Sequence, residues 1–129
     1  IKTPTTHNLV VTDGVSLTAL QQSKDQIRLD GGISTRLSLI TANIALTNQY
    51  LCLVRTSLGA RTLTLPGVTT VDGTTYIIKD ADGLALANNI TINTSGGATI
   101  EGLGSFIIAS NYTSITIVYS SSLNTWNII

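Results

Sequence analysis

Apolar residues recur at every second position in short runs along the chain, and Gly-bearing turn signals break the runs apart. Period two is the spacing of a pleated strand, whose successive side chains point to opposite faces, whereas a helix would need apolar positions three and four apart. Leu63 and Leu65 alternate with Thr62 and Thr64 ahead of Pro66-Gly67, Ile115, Ile117 and Tyr119 alternate with Thr116 and Val118, and Trp126 is in phase with Ile128. Many short strands with frequent turns predict an all-β fold, and we expect a small antiparallel β-sandwich of jelly-roll-like form.

The surface of such a fold must be polar, yet only 11% of the residues are charged, against roughly a quarter in an average soluble protein, while 43% are hydrophobic. Ser, Thr and Asn take the place of the missing charges, and Thr, being β-branched, suits a strand. Formal net charge is zero, and the few Lys and Arg are scattered from Lys2 to Lys79, which argues against a nucleic-acid partner. No apolar run approaches the ~20 residues of a membrane-spanning helix, so no membrane insertion is expected. Cys52 has no second cysteine to pair with and lies in the apolar run Leu51-Cys52-Leu53-Val54, the setting of a small buried hydrophobe rather than a reactive thiol. A chain of 129 residues that begins at Ile1 and contains no Met is expected to be a piece of a longer polypeptide carrying one main domain.

Two parts are predicted. Residues 1–46 form an N-terminal β segment, either hairpins or the end of a shaft, with turns at Asp13-Gly14 and Asp30-Gly31-Gly32. Leu20 to Asp25 is the one stretch there that suits a helical turn. Residues 47–129 form the sandwich, with strands around Tyr50 to Val54, Leu63 to Leu65, Tyr76 to Lys79, Asn89 to Asn93, Thr99-Ile100, Phe106 to Ile108, Ile115 to Tyr119 and Trp126 to Ile128.

Six blocks, taken in order, carry a resemblance. They are Leu63-Thr64-Leu65-Pro66, Gly73 to Asp80, Gly83-Leu84-Ala85, Asn88 to Ile92, Thr99-Ile100-Glu101-Gly102 and the closing Thr125-Trp126-Asn127-Ile128-Ile129. Together they resemble a β-rich module of phage tail-fibre proteins, also met in fibre proteins of large DNA viruses, and the likeness extends over roughly residues 47–129. The resemblance implies a trimeric head at or near the end of a virion fibre, with host-cell attachment through a surface glycan or protein receptor as its task. A homotrimer also follows from physical reasoning, because a mean hydropathy of +0.33 on so short a chain leaves apolar surface that needs cover between copies.

Catalytic and metal chemistry finds little footing. His7 is the sole histidine and stands near the start of the sequence between Thr6 and Asn8, in the setting of a solvated side chain. Asp72, Asp80, Asp82 and Glu101 would supply an acid and base pair of the glycosidase kind if they converged, but turn capping explains the Asp residues without chemistry. Asp80-Ala81-Asp82-Gly83 echoes the start of a calcium loop and lacks the later acidic ligands. Asn89, Asn93 and Asn111 each open an N-glycosylation pattern, which a chain this rich in Asn, Ser and Thr produces by chance.

We therefore expect no enzyme activity, no cofactor and no metal. Asp80, Asp82 and Gly83 are expected to form a structural turn, and Trp126 to close one end of the core. Tyr50, Tyr112 and Tyr119 are the aromatic candidates for ligand contact. Two alternative readings are a module that only trimerises and caps a fibre, and a carbohydrate-binding or adhesin module of a secreted bacterial protein.

Overall fold

The computed structural model describes residues 31–67 and 70–129, and the strands within them belong to the unit Thr35–Ile129. The hairpin at Asp13-Gly14, the helical turn at Leu20 to Asp25 and His7 lie outside the described residues. Ten strands are described: β1 (Leu37–Ile40), β2 (Ile44–Ala45), β3 (Leu51–Val54), β4 (Arg61–Thr64), β5 (Thr75–Asp80), β6 (Ile90–Asn93), β7 (Thr99–Ile100), β8 (Ser105–Ile108), β9 (Ser114–Ser120) and β10 (Thr125–Ile128). The chain deals them alternately into two sheets, one of six strands in the order β1-β3-β5-β9-β10-β7 and one of four in the order β2-β4-β6-β8. Strands β1 and β2, although they precede residue 47, are therefore members of the same two sheets as the rest.

The pairing corrects the expectation of an antiparallel, jelly-roll-like sandwich. β1, β3 and β5 run parallel in the larger sheet, as do β2, β4 and β6 in the smaller, and β7 is parallel to β10. Among the described strand pairs, β5 with β9, β9 with β10, and β6 with β8 are antiparallel. The physical reason is the path of the chain. Each of its first three laps lays one strand on each sheet, so the next lap returns in the same direction and adds beside its predecessor, until β9 and β10 close the larger sheet as a hairpin.

Alternation nevertheless selects the core. Cys52 and Val54 of β3, Tyr76, Ile78 and Asp80 of β5, and Ile117 and Tyr119 of β9 point inward from the larger sheet. Leu63 of β4, Ile90 and Ile92 of β6, and Ile108 of β8 point inward from the smaller, and the apolar members of both sets join one buried cluster. Trp126 of β10 is fully buried within it, its ring 5.5 Å from that of Tyr76 and 5.1 Å from that of Tyr119. Such tilted aromatic contacts add about 0.5–1.5 kcal/mol per pair beyond area burial.

The two outward faces differ. On the smaller sheet, register sets Thr62 beside Thr91 and Ile107, and Thr64 beside Asn93 and Ser105, so the face is mostly hydroxyl and amide. On the larger sheet, Leu37, Leu51 and Ile77 lie in one row and Leu39, Leu53 and Lys79 in the next. Leu37 and Leu39 are 54% and 53% exposed. Sheets of parallel strands are as a rule covered on both faces, and here the parallel part of the larger sheet has one greasy face turned outward.

Candidate functional site

Three turns gather at the end of the larger sheet where β3 and β5 finish, and a buried carboxylate holds them together. The first turn is the short 3-10 segment Thr56–Leu58 that follows β3, the second is Asp80 to Gly83, and the third is Ser110 to Thr113, which leads into β9. Asp80 is the last residue of β5 and has inward parity, so its side chain enters the space between them. Its Oδ1 accepts from Thr56 Oγ1 at 2.6 Å, from Gly83 N–H at 3.0 Å and from Asp82 N–H at 3.2 Å. Its Oδ2 accepts from Ala85 N–H and from Tyr112 N–H, each at 3.0 Å.

Burial alone would raise the Asp80 carboxyl, but the hydrogen bonds from Thr56, Ala85, Tyr112 and Gly83 prevail and hold it below the ordinary value of 3.8. Gly83 completes the second turn with φ +75°, a conformation that glycine takes without strain. Asp82 points the other way, binding Arg55 Nε at 2.8 Å and the backbone N–H and hydroxyl of Ser57 at 2.9 and 2.5 Å. Its carboxyl is lowered chiefly by the two Ser57 hydrogen bonds, with Arg55 adding to them.

Asp72 and Glu101 are also caps, and neither converges with Asp80 on a common point. Asp72 accepts from the N–H of Ser121 at 2.8 Å, and Glu101 accepts from the N–H of Ile128 at 3.1 Å. Asp80 turns both oxygens toward protein donors, which leaves no lone pair of the calcium-loop kind directed at a shared centre. Among the described residues, no group of three or more His, Cys, Asp and Glu is placed to hold a metal ion. Burial pushes the Cys52 thiol up to about 11, so it stays protonated at neutral pH and is a poor nucleophile.

The three tyrosines named from the sequence meet three fates. Tyr119 is a core residue, 3% exposed, with its hydroxyl on Asn124 Oδ1 at 2.9 Å, and this corrects its place among the ligand-contact candidates. The signal was present in the sequence: Tyr119 shares the parity of Ile115 and Ile117, so the face that buries them buries it. Tyr50 is 36% exposed and immediately precedes β3, whereas Tyr112 stands at the opposite end of the sheet beside the end of β5, so the two do not form one site.

Tyr112 is 63% exposed and fixed from several sides. Its φ is +58°, a left-handed conformation that costs a non-glycine residue of order 1–3 kcal/mol and persists where neighbours enforce it. The Asp80 carboxylate takes its N–H, and Lys79 Nζ donates to its carbonyl at 2.6 Å. The same ammonium lies 5.8 Å from the ring centroid. The ring rests on Gly83 so closely that a Cβ on that glycine would clash with the Cζ, Cε2 and Cδ2 atoms of Tyr112.

Sequence reasoning missed Thr56, Lys79 and the Gly83 contact as parts of this corner. For Lys79 a signal exists, since it is the one charged residue on the outward parity of β5, in phase with Thr75 and Ile77. No protein-family model matches the chain, and no curated relative is found for it.

Proposed function

We propose that the chain is a self-associating head domain of a virion fibre, a homotrimer that attaches to the host-cell surface. One observation carries the reading: Leu37, Leu39, Leu51, Leu53 and Ile77 form a contiguous outward apolar face on the parallel half of the larger sheet, while the opposite outward face is Thr-lined. A face of that kind invites association. Association around a three-fold axis would cover it in a closed assembly and shelter the β1 edge from uncontrolled pairing. The blocks from Leu63 to Ile129 that resemble fibre modules support the same assembly. The virion surface is the matching location, and attachment would use the turns at the end of the sheet.

Light scattering on the purified chain is expected to return three times the 13.6 kDa chain mass at micromolar concentration. Exchanging Leu51 and Leu53 together for Asp puts two charges on the proposed seam, and a charge buried without a partner is strongly unfavourable. The double variant should be monomeric and keep its β-type circular dichroism. A wild-type monomer would sink the proposal. Labelled trimer is expected to decorate susceptible cells, and failure on every susceptible host would leave only the capping role.

A further inference from the structure

We propose that Tyr112 is a stacking platform for a pyranose sugar, with Lys79 as its polar neighbour. This rests on the attachment reading and names the chemistry of its ligand as a surface glycan. Four observations meet at one residue. The phenol ring is exposed, although the chain buries Tyr76, Tyr119 and Trp126. One ring face is seated on Gly83, so the ring is supported from beneath. The backbone that carries it is in a left-handed conformation and is pinned on both sides, by Asp80 at the N–H and Lys79 at the carbonyl. Asp80 in turn ties that backbone to Thr56 and Ala85, so two further segments resist its displacement.

A merely solvated tyrosine needs none of this. Strained backbone held by its surroundings is characteristic of functional positions, and a tyrosine fixed in advance contributes contact area with little further loss of freedom. The negative face of the ring attracts polarised C–H bonds, which a pyranose presents on one side while its hydroxyls remain at the rim. Those hydroxyls meet hydrogen-bonding groups here: the Lys79 ammonium lies over the ring at 5.8 Å from its centroid, the tyrosine carries its own O–H, and Ser110 and Asn111 are exposed in the same turn. Asn111 is held in place through its Oδ1, which accepts from the Leu86 N–H at 2.9 Å. A hydroxyl-rich surround in which Arg55 is already paired with Asp82 and Lys79 is the cation at the ring suits a sugar better than an acidic peptide, which would call for a basic cluster.

A glycan array probed with the wild-type assembly tests this directly, beside Tyr112→Ala, Tyr112→Phe and Gly83→Ala. The wild type is expected to bind at least one immobilised glycan. Tyr112→Ala should weaken that binding at least tenfold, and Tyr112→Phe should keep most of it because the ring remains. Gly83→Ala keeps the tyrosine but forces its ring aside, so it too should lose at least tenfold, and unchanged light scattering and circular dichroism would show that each variant is assembled. Equal glycan binding by Tyr112→Ala overturns the platform, and so does a wild type that decorates cells yet binds no glycan. If such a wild type holds its cells through protein, protease treatment of the cells abolishes decoration. A wild type that binds glycans through Tyr112 yet decorates no host cell sinks the attachment reading and keeps the platform.

Discussion

Replacing Asp80 by Ala is expected to destabilise the domain by about 4 kcal/mol, because several donors lose their acceptor at once and part of that set is buried. In a unit of this size that corresponds to a fall in melting temperature of roughly 20 °C, measured by thermal unfolding. Three loops would lose their common anchor, so chemical-shift changes should spread to Thr56, Ala85 and Tyr112 together. Asp80→Asn keeps the shape and one accepting oxygen but turns an NH2 toward backbone N–H groups, and should cost about half as much. A loss under ~1 kcal/mol for Asp80→Ala would show that the carboxylate is not the anchor its hydrogen bonds describe.

The same carboxylate fixes the sign of an acid response. Its pKa in the folded protein lies below the ordinary 3.8, so the folded state holds the proton less tightly than the unfolded chain does. The stabilisation is complete above that ordinary value and is lost as pH falls through the folded pKa. Wild-type stability should therefore decline as pH drops below about 3.8, and Asp80→Asn should flatten that part of the profile. A profile unchanged by Asp80→Asn would assign the acid response to other carboxylates.

The second large effect is expected at Trp126. Its side chain is wholly buried between Tyr76 and Tyr119, and truncation to Ala leaves a cavity in the middle of the aromatic cluster. The expected loss is about 4 kcal/mol, read by denaturant unfolding. The indole Nε1 has no hydrogen-bond partner among the described residues. Trp126→Phe removes that unpaired donor along with part of the ring, and the first change offsets some of the second, so its cost should stay near 1–2 kcal/mol. A Phe variant as damaged as the Ala variant would mean that Nε1 finds a partner in solution.

Strand positions were legible in the sequence because burial follows side-chain parity. Leu63 with Leu65, Ile90 with Ile92, and Ile117 with Tyr119 are buried as their alternation requires. Strand direction was not legible, since parallel and antiparallel strands share the same period, and each parallel partner is separated from its neighbour by a strand in the other sheet. One clue to direction lies in Leu51-Cys52-Leu53-Val54, which is apolar on both parities, as a parallel strand covered on two sides would be.

The corner around Asp80 was only half legible. Asp80-Ala81-Asp82-Gly83 announces a turn, but its convergence with Thr56 and Tyr112 depends on contacts distant in sequence, which no local pattern encodes. Tyr112 could be named as an exposed aromatic candidate. Its support on Gly83 could not.

The alternate dealing of strands has a further consequence for how such a chain can vary. An added pair of strands ahead of Leu37 would lengthen both layers in one step, like a course of bricks laid on a double wall, and leave the Tyr76, Tyr119 and Trp126 cluster and the Asp80 corner as they are. Strand number can then change two at a time while that corner keeps its shape.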